Sequence, residues 1–208
     1  MPGIMYHLYV AKLVSKKCYI TGHNRKIFMG SNLIPDYTNN KRRAHLYKEG
    51  ISPLFQVPNL EALQQELDYQ NDLIHFGIYS HLYTDYCFIT RYLAPRFQVK
   101  GDTIRTEDTS WSSEYFFSEK GLYGAYTTIN HRLQHDNLVS MKLVNAIPRI
   151  LPKTNLERWQ NHSATSWKKE LKVYLEEPDP NVEDVLEYDK LLKCLQTIAE
   201  DLSNVWKS

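Results

Sequence analysis

Apolar positions along this chain recur at the three- and four-residue steps of a helix, with little of the alternation that marks a strand. Ile4, His7, Leu8, Ala11 and Val14 share one side of a first helix from Ile4 to Val14. A short helix is expected from Phe28 to Ile34, ended by Pro35, because proline disfavours helix in the residue before it. Tyr37 to Pro58 is polar and then proline-punctuated, and reads mostly as loop. Asn59 can cap a helix from Leu60 to about Tyr69. A long helix then runs from Asp72 to Leu93, stopping before Pro95. Further helices are expected at Glu119–Gln134, Leu138–Ala146, Leu156–Glu176 and Val182–Lys207, with Pro178-Asp179-Pro180 separating the last two. Trp159, Trp167, Leu171, Tyr188, Leu191, Leu195, Ile198 and Leu202 are expected to pack that final pair. The pattern predicts an all-α, compact multi-helix bundle forming one domain over residues 1–208, with an irregular or hairpin insertion near 97–106, around Lys100-Gly101-Asp102.

The long helix carries a chemical oddity. At about 3.6 residues per turn, Ile74, Ile78, His81, Asp85, Phe88 and Tyr92 form one stripe. Its other members are apolar, so the stripe should face the interior, with His81 and Asp85 one turn apart on the buried side. An unpaired buried carboxylate costs several kcal/mol, so Asp85 needs a strong partner. Either it meets His81 or an arginine within the core, or both residues converge on a metal ion. Upstream, Asp36 follows Gly30-Ser31-Asn32-Leu33-Ile34-Pro35, His45 comes nine residues later, and His7 lies on the apolar face of the first helix. Each has an ordinary explanation alone; together they favour a metal site.

Composition narrows the function. The net charge of +1 gives no support to a nucleic-acid binder that relies on bulk charge. Lys41-Arg42-Arg43 is read as solvated surface, with a phosphate contact as the alternative. Three scattered cysteines (Cys18, Cys87 and Cys194) define neither a disulfide framework nor a cysteine-based zinc motif. The first twenty residues lack the apolar run of a secretory signal, and no stretch approaches the about 18 apolar residues of a membrane span. A cytoplasmic location is expected.

The ordered set "MYHLYVA", "GSNLIPD", a following histidine and "FGIYSHLYTDYCF" resembles the zinc-dependent phospholipase C family over roughly the first 95 residues. The resemblance implies that Asp36, His45, His81 and Asp85 ligate one zinc, and that His7 binds a neighbouring ion with Asp85 bridging. Two departures stand out. Exported members use a free amino-terminal tryptophan as a ligand, whereas this chain begins Met1-Pro2. The family also places a histidine soon after H-x-x-x-D and an H-x-x-x-E pair later. Here the first of those spacings holds Arg91, which cannot ligate a metal.

Other histidines give no substitute. His131 and His135 project away from the stripe of Leu122, Ala125, Tyr126, Ile129 and Leu133, so both should be solvated. The same placement argues against His135-Asp136 as a phosphohydrolase doublet. His23 and His162 read as surface, and His75 as packed or half-exposed.

Two carboxylates with two imidazoles suit zinc, one ion or two, with manganese or iron as alternatives. Such a site can polarise a phosphoryl oxygen and activate water at neutral pH, and two ions about 3.5–4 Å apart can stabilise both attacking and leaving oxygens. Asp36 is the residue expected to orient or deprotonate that water. Tyr79, Tyr83 and Tyr86 either shape the cleft or pack the core. The expected activity is metal-dependent hydrolysis of a phosphate ester, a phosphodiesterase of phospholipase C-like type acting on a small phosphate ester or phospholipid, with nucleotides or nucleic acid as the alternative substrate. The alternative is a non-catalytic helical binding or scaffold protein holding a vestigial or structural metal site.

Overall fold

The computed structural model describes residues 3–38, 40–48, 54–160 and 177–207. Helix α1 (Ile4–Lys17) leads to α2 (Gly22–Ser31), the single turns α3 (Ile34–Tyr37) and α4 (Lys41–Ala44), and an antiparallel ribbon of β1 (Tyr47–Lys48) with β2 (Val57–Pro58). Next come α5 (Leu60–Glu66), α6 (Leu73–Cys87) and a sheet of β3 (Gln98–Lys100), β4 (Thr103–Arg105) and β5 (Ser110–Ser112), antiparallel in that order. The turn α7 (Ser113–Phe116) and helices α8 (Leu122–His135), α9 (Met141–Ile150) and α10 (Tyr188–Lys207) follow. The described residues are therefore mostly helical, the β3–β4 hairpin occupies the expected 97–106 insertion, and β5 and the β1–β2 ribbon add sheet that the all-α expectation lacked.

Helix α6 is the axis of the fold. Asp72 caps it, its carboxylate accepting from the backbone N–H groups of Ile74 and His75. It packs against α1, α2, α5, α10 and β2. The sequence pattern gave it one buried stripe, yet it is buried nearly all round: Phe76, Tyr79, Leu82 and Cys87 are covered as well as Ile78, His81 and Asp85. It also ends as α-helix at Cys87 rather than Leu93. The hydroxyl of Thr90 bonds the carbonyl of Tyr86, and the chain widens into a π turn, Phe88–Leu93, then a 3-10 turn, Ala94–Arg96.

Pro35 does not end a helix. It sits in the first turn of α3, where its fixed φ is suited and its missing N–H costs nothing. The preceding helix accordingly lies earlier than expected, at Gly22–Ser31. The 37–58 segment holds α3, α4 and the β1–β2 ribbon instead of plain loop.

At the other end, α10 starts at Tyr188 rather than Val182. The Glu183 N–H bonds the Lys120 carbonyl, and the Glu183 carboxylate accepts from Trp111 Nε1 and from the Tyr115 hydroxyl, tying this stretch to the three-stranded sheet. Leu191, Leu195, Ile198 and Leu202 are fully buried, as their spacing implied, and α10 packs on α1, a partner the sequence did not indicate. Trp159 is buried on a 3-10 turn and donates to the Ala44 carbonyl. Trp167, Leu171 and most of the expected 156–176 helix lie outside the described residues.

Candidate metal centre

Four elements bring the five sequence-selected side chains together. His7 comes from the middle of α1, Asp36 from α3, His45 from the C-terminal end of α4, and His81 with Asp85 from one face of α6. His45 Nε2 lies 3.6 Å from Asp36 Oδ1 and 3.5 Å from Asp85 Oδ2. His81 Nε2 lies 4.0 Å from Asp36 Oδ1 and 3.5 Å from the same Asp85 oxygen. The two Nε2 atoms are 3.2 Å apart. Asp85 turns its other oxygen, Oδ1, to His7 Nε2 at 3.3 Å, and the His7 ring stacks on His81 at 3.7 Å.

The backbone fixes how the two central imidazoles are protonated. His45 Nδ1 is 2.6 Å from the Lys41 carbonyl, and His81 Nδ1 is 2.7 Å from the Asn32 carbonyl. A carbonyl only accepts, so each Nδ1 carries the proton and each neutral ring turns an Nε2 lone pair inward. Two lone pairs facing each other at 3.2 Å leave neither ring a donor toward the other or toward the two carboxylates beside them. Burial pushes the His81 pKa down to about 3, with His7 adding to the effect against the pull of the carboxylates, so the ring stays neutral at ordinary pH. Burial acts to raise Asp36 and Asp85, but the surrounding imidazoles, His81 foremost, outweigh it and hold both below the usual carboxylate range.

A core hydrogen-bond pair between His81 and Asp85 does not satisfy this geometry. With Nδ1 as its protonated nitrogen, neutral His81 has nothing to donate to Asp85. Both Asp85 oxygens and both His7 nitrogens are buried without a hydrogen-bond partner. Such groups are costly unless something else pairs them. The donor spacing fits a cation: bonds of about 2.0–2.1 Å to a tetrahedral ion place its ligand atoms about 3.3–3.4 Å apart. Two overlapping sets, His7/Asp36/His81 and His45/His81/Asp85, meet the proximity that a metal requires.

No family model, curated protein or solved structure matches the chain. What the site can do is therefore argued from its own geometry.

His7, His45, His81 and Asp85 are fully buried, and Asp36, also buried, retains the most exposure of the five at 9 %. Tyr47, half-buried, stacks on His45 with ring centroids 5.5 Å apart. It lines a cleft of about 470 Å³ with Phe55, Ile89, Phe117, Tyr123 and Tyr126. Burial raises the Tyr47 pKa, and Asp85 and Asp36 push it further, so its hydroxyl keeps its proton.

Several supporting features escaped the sequence. Asn32 and Lys41 act through backbone carbonyls, which no side-chain pattern reveals. Gly77 lets α2 approach α6: a Cβ there would fall 2.1 Å from Ser31 Oγ and 2.9 Å from the Asn32 nitrogen. A glycine inside an apolar helix is a readable signal of such an approach. Leu46 takes a left-handed φ of 48°, turning the chain sharply between His45 and Tyr47.

The remaining candidates stand apart. Tyr79 stacks on Tyr69, and Tyr83 donates to Asp201 of α10, so neither lines the cleft beside the cluster; Tyr86 is half-buried against the core and does not line it either. Arg91 pairs with Asp201 at 2.5 Å. His75 is half-buried and accepts from the Asp68 N–H. His131 is partly exposed near Glu177, while His135 and His23 are exposed. His162 lies outside the described residues.

Proposed function

We propose that His7, Asp36, His45, His81 and Asp85 form a zinc site and that the chain is a metal-dependent hydrolase of phosphate esters, most naturally phosphodiesters, in keeping with its resemblance to zinc-dependent phospholipases C. The observation that carries this is the pair of inward Nε2 lone pairs on His45 and His81, 3.2 Å apart and flanked by two carboxylates. Neutral imidazoles and ionised carboxylates are the protonation states that metal ligation demands.

When bound, zinc supplies Lewis-acid polarisation of a phosphoryl oxygen and lowers the pKa of an associated water. The chain's own residues do the rest. The Lys41 and Asn32 carbonyls hold His45 and His81 in their ligating tautomer. Asp36, the least buried of the five, orients the attacking water and accepts its proton at a carboxylate oxygen. Tyr47, its hydroxyl kept protonated, stands between His45 and the cleft, whose further walls include Phe55, Ile89, Phe117, Tyr123 and Tyr126. Among the described residues no helix is long and apolar enough to cross a membrane.

The test is elemental analysis of protein purified without chelator or metal-affinity tag, beside the His81→Ala/Asp85→Ala double variant. One or more transition-metal ions per chain, lost in the variant together with hydrolysis of bis(p-nitrophenyl) phosphate, is the expected result. Metal that stays substoichiometric after zinc or manganese is supplied would sink the proposal.

A further inference from the structure

The turn that aims His45 at the cluster also carries Arg42 and Arg43 on its outer side, and these are not merely solvated. With Arg158, Asn40, Asn59, Leu46, Tyr47 and Gln56 they line a second cleft of about 420 Å³. Tyr47 and Gln56 line both clefts, so the basic and apolar spaces meet beside the ring that stacks on His45.

The cleft has the chemistry of an anion site. None of its lining residues is acidic. Asn40 and Asn59 spend their side-chain oxygens on the backbone N–H groups of Arg43 and Ala62, which leaves their amide NH₂ groups as donors. Two guanidinium groups are anchored in place. Arg43 Nη2 bonds Glu157 at 2.9 Å, and Arg158 Nε lies 3.2 Å from both Glu66 oxygens while its Nη1 bonds the Arg43 carbonyl. Each guanidinium has more N–H donors than these contacts consume. Arg42 is exposed and makes no ion pair or hydrogen bond with any described residue.

We propose that this basic cleft receives a second anionic group of the substrate, so that the preferred ester carries a negative charge beyond its scissile phosphate. The proposal rests on the hydrolase reading above. The shared chemistry is a remote phosphate, whether on a nucleotide or on a lipid headgroup. Arg42 and Arg43 are specificity residues that bind this group and leave the reacting atoms to the cluster.

The experiment compares substrate pairs that differ only by a remote phosphate. One pair is a nucleoside arylphosphate diester with and without a further phosphate on its sugar. The other is an inositol phospholipid with and without a phosphate on the ring. In the parent protein the remote phosphate should lower KM about tenfold in one pair, with little change in kcat, as a charge-assisted contact allows. The pair that responds identifies the source. Arg42→Ala, which removes no ion pair or hydrogen bond to a described residue, should erase most of that advantage and leave the member without the remote phosphate unaffected. Arg43→Gln should act in the same direction. If neither pair shows the advantage, or if Arg42→Ala preserves it, the proposal is overturned. If nothing is turned over, calorimetric binding of the same nucleoside pair replaces KM. A binding advantage that Arg42→Ala removes would then uphold the anion site while the hydrolase reading fails, and equal binding of both members would overturn it.

Discussion

Helices α6 and α8 each carry two titratable side chains one turn apart, His81/Asp85 and His131/His135. On α6 the pair lies on a fully buried face, its imidazole fixed by the Asn32 carbonyl and its carboxylate shared with three histidines. On α8 the pair projects outward: among the described residues His131 reaches an exposed Glu177 and His135 its neighbour Asp136. Equal spacing therefore makes a site in one helix and a solvated surface in the other. The difference is what surrounds the spacing. A polar pair set in an apolar stripe forces the rest of the chain to supply partners, whereas water satisfies an exposed pair.

The largest expected effect follows directly. His81→Ala leaves a cavity in the fully buried cluster and strips the Asn32 carbonyl of its donor, which should cost about 2–4 kcal/mol. His131→Ala should stay within about 0.5 kcal/mol, as an ordinary surface substitution does. Urea unfolding of the two variants measures both. Equal losses would show that α6 and α8 do not differ in the way described.

Glycines sharpen the contrast, because each helix has one at a tight crossing. A Cβ at Gly77 collides with Ser31 and Asn32, while one at Gly124 falls 1.9 Å from the Glu119 carbonyl oxygen and 2.7 Å from Val182 Cγ2. Gly77→Ala and Gly124→Ala should each cost about 1–3 kcal/mol through overpacking. Only Gly77→Ala moves the segment whose carbonyl orients His81. It should also weaken metal binding about 10–100-fold, the usual scale for loss of an orienting contact. Competition with a chromogenic chelator reads this, and equal affinities in the two variants would remove Asn32 from the account.

How much of this was legible depended on where the information sits. His7, Asp36, His45, His81 and Asp85 could be picked out because each is a polar side chain in an apolar or proline-marked setting. The carbonyls of Asn32 and Lys41 could not, since every residue has a carbonyl and only the fold aims one. Pro35 was misread in direction: the same fixed φ that stops one helix starts the next. The ribbon joining Tyr47 to Pro58 escaped notice because two-residue strands show no alternation. The α10 boundary was misplaced because Glu183 is held by Trp111 and Tyr115, partners far away in sequence.

Acidity probes the cluster without altering a residue. Folding holds His81 neutral, with a pKa near 3 against an ordinary 6.5. The unfolded chain therefore takes up the proton first as pH falls below 6.5, and metal-free protein loses stability steadily from there toward 3. Asp36 and Asp85, held below their ordinary values, add their own loss at the acid end, because their contribution exists only while they remain ionised in the folded state. His81→Leu should flatten the upper part of this decline. An unchanged profile in that variant would mean that other groups set the acid limit.

The smallest effect separates helix stability from the site itself. Asp72 accepts from the N–H groups of Ile74 and His75 at 2.7 and 3.0 Å, whereas α8 begins at Gly121 with no side-chain cap. Asp72→Ala should cost about 1 kcal/mol by leaving those donors to water. His81 lies two turns further along and is held by Asn32, so metal content should not change. Thermal unfolding with metal analysis on the same sample tests both halves. A variant that loses metal along with stability would mean that the cluster depends on the whole of α6, rather than on the carbonyls that orient its imidazoles.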